Sequence, residues 1–166
     1  MNNIFRKFDD LKNLAIFFGI AIFFVGDRIL KKIAFQNPES SYSIIGEILS
    51  FNFTKNYYIS FSLPIKGKFL NIAILIILLL IIVYIIYLII NKKKHKFNKI
   101  YALLFFSLFL GALSNYIDRL KLSYVIDYLQ IQNISVLNIA DIMISVSAVL
   151  IILLNIKSER NIKNLE

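Results

Sequence analysis

Six ionisable side chains stand where a strongly apolar chain has least reason to keep them: Asp27, Lys31, Asp118, Arg119, Asp127 and Asp141. Each lies within or beside a long uncharged run, and a charge at the centre of a membrane-spanning helix costs roughly 2.5–3.5 kcal/mol on insertion scales. Residues retained against that cost are functional candidates. The chemistry open to them is narrow. There is no cysteine, which excludes disulfides and thiol catalysis, and a single histidine, His95, in a basic run offers no zinc site. No cofactor or metal is expected. Carboxylate acid–base work remains, as does a serine–lysine arrangement of Ser60 or Ser62 with Lys31. Two aspartates held close together cannot both ionise and so share a proton. The ionised member takes a proton from water as it attacks a peptide carbonyl, and the other stabilises the developing oxyanion. Asp127 and Asp141 fit these roles if the fold joins the segments that carry them. Asp118 beside Arg119 suits an interfacial ion pair equally well, and Asp27 with Lys31 suits a snorkelling helix end.

The elements that must position these groups follow from the apolar runs. Of the 166 residues 58% are hydrophobic, against roughly 45–50% in globular chains, and the mean hydropathy is +0.72. A bilayer solvates that much apolar surface and a small soluble domain does not. The sequence therefore predicts an all-α integral membrane protein, one domain over 1–166, with four transmembrane helices at about 11–35, 69–91, 99–120 and 136–156. The first is read as a retained helix, because Gly26-Asp27-Arg28 follows it instead of a small-residue cleavage site.

The net charge of +9 is distributed as membrane topology requires. With the N-terminus inside, eleven cations fall on the cytoplasmic side and eight outside, and the dense cluster Lys92, Lys93, Lys94, Lys96 and Lys99 decides the orientation. No nucleic-acid module is visible. Both termini are expected in the cytoplasm, with the loop 36–68 outside. Within that loop Ile48–Thr54 alternates at period two, Lys55-Asn56 offers a turn, and Tyr57–Leu63 resumes, which predicts a small extracytoplasmic β-hairpin between helices one and two.

Helical spacing gathers the polar residues. Gly111, Asn115 and Arg119 recur every four residues along one face of helix three. Asn138 and Asp141 share a face at the start of helix four, as do Asp27 and Lys31 at the end of helix one. One common polar site at the outer interface accounts for all of them.

The run Gly111-Ala-Leu-Ser-Asn115-Tyr-Ile-Asp118-Arg119, followed by Tyr124-Val-Ile-Asp127-Tyr128, resembles the signature G-A-x-G-N-x-x-D-R … V-x-D-F of the lipoprotein signal peptidases (signal peptidase II). Leu137-Asn138-Ile-Ala140-Asp141 is similar to the family's F-N-x-A-D, Asp27-Arg-Ile-Leu-Lys31 to its D-x-x-x-K, and Asn56-Tyr-Tyr-Ile-Ser-Phe61-Ser62 to N-x-G-x-A-F-S. The four blocks occur in the family's order over nearly the whole chain. The resemblance implies an aspartic endopeptidase of the bacterial inner membrane that cleaves the signal peptide from a diacylglyceryl-modified prolipoprotein on the amino side of its lipidated cysteine. It implies Asp127 and Asp141 as the catalytic dyad, with Asp27, Lys31, Asn56, Gly111, Asn115, Asp118, Arg119, Asn138 and Ala140 supporting it or holding substrate. Asp127 is preferred to Asp118, because a carboxylate beside Arg119 is structurally occupied. A monomer in membrane lipid is expected. The sequence departs from the signature at Ser114 and Tyr58, where glycine is usual, at Leu137, where phenylalanine is usual, and in a short Asp127–Asp141 connection. The competing reading from another class is a non-enzymatic four-helix membrane protein, a transporter subunit or assembly factor whose buried charges pair for structure.

Overall fold

In the computed structural model, residues 2–57, 68–91 and 98–163 are described. Four helices, α1 (Asn2–Gln36), α2 (Lys68–Ile90), α3 (Asn98–Leu122) and α4 (Ile139–Lys163), form a bundle. Four short strands, β1 (Tyr42–Ile45), β2 (Leu49–Asn56), β3 (Val125–Ile131) and β4 (Ser135–Leu137), lie between α1 and α2 and between α3 and α4. Each helix contains a stretch of 20 to 26 residues apolar enough to cross a membrane. At 1.5 Å per residue these reach the roughly 30 Å of a hydrocarbon core. The helices turn apolar side chains outward: Phe69 is 88% exposed and Ile90 74%, an arrangement only a lipid surface solvates.

Helix α3 packs against the other three helices. Phe106 stacks on Phe17 of α1 at 4.8 Å, and Phe105 meets Tyr84 of α2 edge-on at 4.7 Å. Toward the other end of α3, Gly111 sets the spacing to α4. A Cβ there would stand 2.7 Å from the Ala140 carbonyl oxygen, 3.0 Å from Ile144 Cγ1 and 3.2 Å from Met143 Cβ. Only glycine allows this approach, and it brings Asn115, one turn further on, up to the start of α4.

The strands form one antiparallel sheet in the order β1-β2-β3-β4. It rests on the end of α1 through a cluster of Ala34, Ile126 and Tyr128, joined by Leu30, Phe51, Phe53, Leu122, Tyr124, Leu129 and Ile139. The hairpin expected between helices one and two is present as β1–β2, but it turns elsewhere. Gly46, at φ +48, makes the turn together with Glu47 and Ile48, while Lys55 and Asn56 continue β2 opposite Ile126 and Val125. The apolar strand β3 supplies a better partner than a free hairpin arm has, since an isolated two-stranded ribbon is marginal. Most of the second arm expected at 57–63 lies outside the described residues. Val136 and Leu137 belong to β4 rather than to helix four, whose first residue is Ile139.

Two tight connections carry the chain between helix and sheet. Ser123, at φ 66, ends α3, its N–H donating to the Arg119 carbonyl at 3.0 Å, and β3 begins two residues later. Asn133, at φ 55, turns β3 into β4. The eleven residues 128–138, the end of β3, a turn and β4, therefore separate Asp127 from the start of α4 and fold back on themselves, which is why a short connection suffices.

Candidate active site

The sheet-bearing end of the bundle gathers the polar residues that the sequence singles out. Asp27, Lys31, Asn115, Asp118, Asp127 and Asn138 are all buried there, and no buried side-chain polar atom among the described residues lacks a partner. They form two clusters.

The first is ionic. Asp118 accepts from Arg28 Nη1 at 2.5 Å and from Lys31 Nζ at 2.8 Å, and the Ile126 N–H reaches its Oδ2 at 3.3 Å. Lys31 Nζ lies 3.3 Å from Asp27 Oδ2, donates to Asn115 Oδ1 at 2.7 Å, and reaches Ser114 Oγ at 3.4 Å. Arg28 Nη1 also donates to the Ser114 carbonyl at 3.1 Å and to its Oγ at 3.3 Å. Asp27 accepts from Ser114 Oγ at 2.5 Å, Tyr128 Oη at 2.9 Å and the Ala140 N–H at 3.2 Å. Two carboxylates thus face two cations across α1 and α3. The sequence paired Asp118 with its neighbour Arg119, whereas the cations seen to bond it are Arg28 and Lys31 of helix one.

The second cluster is built from amides. Asp127 extends from β3, and its Oδ1 accepts from Asn138 Nδ2 at 2.7 Å and its Oδ2 from Asn56 Nδ2 at 2.8 Å. Asn56 reaches it because β2 pairs Thr54 with Asp127 and Asn56 with Val125, making Asn56 a diagonal neighbour. Asn138 caps α4: its Oδ1 accepts the Asp141 N–H at 2.9 Å, while its own N–H donates to Asp141 Oδ2 at 3.3 Å. This reciprocal capping box fixes Asp141 at the third helical position. Asp141 Oδ1 accepts from Asn115 Nδ2 at 2.8 Å. Asn138 therefore bridges the two carboxyl groups, and its Nδ2 also reaches Asn115 Oδ1 at 3.2 Å and the Ile126 carbonyl at 3.3 Å. Arg119 stands within Coulombic reach of Asp141, Asp127 and Asp118.

Burial pushes the Asp127 carboxyl up from 3.8 to about 6, and the nearby Asp141 charge adds to the rise. The hydrogen bonds from Asn56 and Asn138 and the charge of Lys31 oppose it. Burial also raises the Tyr128 phenol, with Asp27 adding to it. A carboxyl raised by burial, beside a second carboxyl, is the arrangement that a general acid–base pair requires.

Of the residues singled out in the sequence, Gly111 and Ala140 enter as backbone. Gly111 admits the Ala140 carbonyl, and the Ala140 N–H is held by Asp27. Three residues in the network were not singled out as site residues. Arg28 sits among the basic residues at the end of helix one and looks like a topology charge. Ser114 lies three residues after Gly111 and four before Asp118, so helical spacing alone placed it on the same face. Tyr128 follows Asp127, where strand alternation would turn it away. Ser60 and Ser62 lie outside the described residues, and Lys31 Nζ is already engaged by two carboxylates and Asn115.

The architecture has solved counterparts. One bacterial membrane enzyme, determined by the in meso method at 2.3 Å, is 22% identical, with 90% of each chain covered and a TM-score of 0.73. Another, determined by the same method at 1.9 Å, is 23% identical over 88% of this chain and 93% of that one, with a TM-score of 0.68. At these identities the likeness is one of fold. No curated protein sequence matches the chain. Residues 19–157, which carry every element of the site described above, match the family described as signal peptidase (SPase) II, and the chain belongs to that family.

Proposed function

We propose that this protein is an aspartic endopeptidase that removes the signal peptide from diacylglyceryl-modified prolipoproteins, cutting on the amino side of the lipidated cysteine. The observation that carries the reading is the bridge made by Asn138, which holds Asp127 through Nδ2 and Asp141 through its capping box. Two carboxyl groups from separate elements are thereby held in one amide-lined site at the end of a membrane bundle.

The dyad holds one proton in the working state. Its ionised member removes a proton from water as the oxygen attacks the scissile carbonyl, and the protonated member donates to the carbonyl oxygen as negative charge develops there. Collapse of the tetrahedral species expels the amine of the lipidated cysteine, which leaves with a proton from the dyad. Arg119, in Coulombic reach of both carboxyl groups, supplies positive potential for the oxyanion. Because the site lies at the ends of α1, α3 and α4, the substrate's acyl chains remain in lipid while its scissile bond sits near the headgroups.

The cationic run Lys92, Lys93, Lys94, Lys96 and Lys99 supports a cytoplasmic location for the far end of the bundle and for both termini, in a bacterial cell. The site then faces outward across the inner membrane, and a monomer embedded in lipid is sufficient for the chemistry. The test is a gel-shift cleavage assay in detergent or lipid, with a diacylglyceryl-modified prolipoprotein as substrate. Cleavage by wild type, lost in folded Asp127→Asn and Asp141→Asn, is the expected result. Cleavage surviving either substitution removes that residue from the dyad, and no cleavage by folded wild type overturns the peptidase assignment.

A further inference from the structure

A helix begins with backbone N–H groups that have no partner within the helix, and at α4 other elements supply part of the cap. The N–H groups of Asn138 and Asp141 are satisfied inside the capping box. The Ile139 N–H donates to Tyr128 Oη at 3.2 Å, and the Ala140 N–H donates to Asp27 Oδ1 at 3.2 Å. The Tyr128 hydroxyl donates a hydrogen bond to the same Asp27 oxygen at 2.9 Å, while Ser114 Oγ donates to the other oxygen at 2.5 Å. Ser114, Tyr128 and Asp27 are each 0% exposed. The residue that follows Asp127 is thus bonded directly to the residue two before Asp141. The two hydroxyls also stand where the signature read in the sequence has glycine and phenylalanine, so neither bond is available to a chain that follows the signature.

Resting on the peptidase reading above, we propose that Ser114 and Tyr128 are positioning residues for the dyad. Their hydroxyls clasp Asp27 from both sides, and Asp27 and Tyr128 hold the first two peptide groups of α4, fixing Asp141 relative to Asp127. Neither hydroxyl touches the dyad carboxyl groups in the contacts described, so each acts through the α4 cap. A serine hydroxyl has one proton and two acceptor sites. Ser114 donates to Asp27 and accepts from Lys31 and Arg28, so every valence is used. Tyr128 likewise donates once and accepts once.

The test compares full-length Tyr128→Phe, Ser114→Ala and the double variant with wild type in the same detergent. Amide hydrogen exchange across 139–142 is read without substrate, and kcat and KM are read with a diacylglyceryl-modified prolipoprotein. Tyr128→Phe keeps the buried ring, and faster exchange at Ile139 and Ala140 is expected, with kcat about tenfold lower, KM unchanged and a displaced pH profile. Because both hydroxyls act on Asp27, the loss in the double variant is expected to fall short of the product of the single losses. A fall in melting temperature with kcat and the pH profile unchanged, or losses that simply multiply, would overturn the proposal. If Tyr128→Phe does not fold, Ser114→Ala decides through the same exchange and kcat readings. If wild type cleaves nothing, the peptidase reading fails, and unchanged exchange at 139–140 in Tyr128→Phe would separately overturn the clasp.

Discussion

Four aspartates meet at one end of this molecule, and the two clusters that hold them differ in kind. Asp27 and Asp118 face Lys31 and Arg28 at 2.5–3.3 Å. Asp127 and Asp141 are held by the side-chain amides of Asn56, Asn115 and Asn138 and by the Asn138 N–H. Close cations tie a carboxylate to its place through charge-assisted hydrogen bonds. Amide donors fix its position and leave it free to exchange a proton, which a general acid–base group must do. On the proposed function, the ionic cluster supplies rigidity and the amide cluster supplies the chemistry. Asn115 and Lys31 join them, since Lys31 Nζ donates to Asn115 Oδ1 and Asn115 Nδ2 donates to Asp141.

The largest expected effect falls on the amide cluster. Asp127→Asn or Asp141→Asn should lower cleavage at least about a thousandfold, measured as kcat on folded protein. Stability should move the other way for Asp127. With its carboxyl raised from 3.8 to about 6, that group favours folding below its unfolded pKa and loses the contribution as pH rises through about 6. Asp127→Asn should therefore be more stable than wild type at pH 7, by on the order of 2–3 kcal/mol, and lose that advantage below pH 4. Chemical denaturation at the two pH values checks it.

Breaking the ionic cluster should have the opposite profile. Lys31→Met leaves two buried carboxylates short of a cation and should destabilise the fold by about 3–5 kcal/mol, read as a lowered denaturation midpoint. Gly111→Ala comes next. Its Cβ meets the Ala140 carbonyl oxygen at 2.7 Å, so α3 and α4 must separate, at a cost of about 1–3 kcal/mol. Cleavage should fall with stability, because Asn115 and Asp141 lie just beyond the contact. The smallest effect is expected of Asn56→Ala, which removes one hydrogen bond to Asp127. That bond lowers the Asp127 pKa, so its loss should move the alkaline limb of the kcat/KM profile to higher pH, with an activity loss of about two- to tenfold.

Much of this was legible in the sequence because lipid makes polar residues conspicuous. Asp27, Lys31, Asn115, Asp118 and Asp141 stood out as exceptions in apolar helices, and their three- and four-residue spacing gave the shared faces. The sheet was harder to read. Its central pairing joins β2 to β3 across about 70 residues, and nothing local in Lys55-Asn56 distinguishes a strand end from a turn. Arg28, Ser114 and Tyr128 escaped for a related reason. Ser114 and Tyr128 even stand where the signature has other residues, but the contacts of all three are made with partners on other elements.

The proposed division of labour between the two clusters has one direct test: prolipoprotein cleavage per folded molecule for Asp127→Asn and Asp118→Asn, with the folded fraction determined in the same preparation. The predicted result is a well-folded Asp127→Asn without cleavage beside a less stable Asp118→Asn whose folded fraction still cleaves. A folded Asp118→Asn without cleavage, beside an Asp127→Asn that cuts, would contradict the claim and assign the chemistry to the ionic cluster.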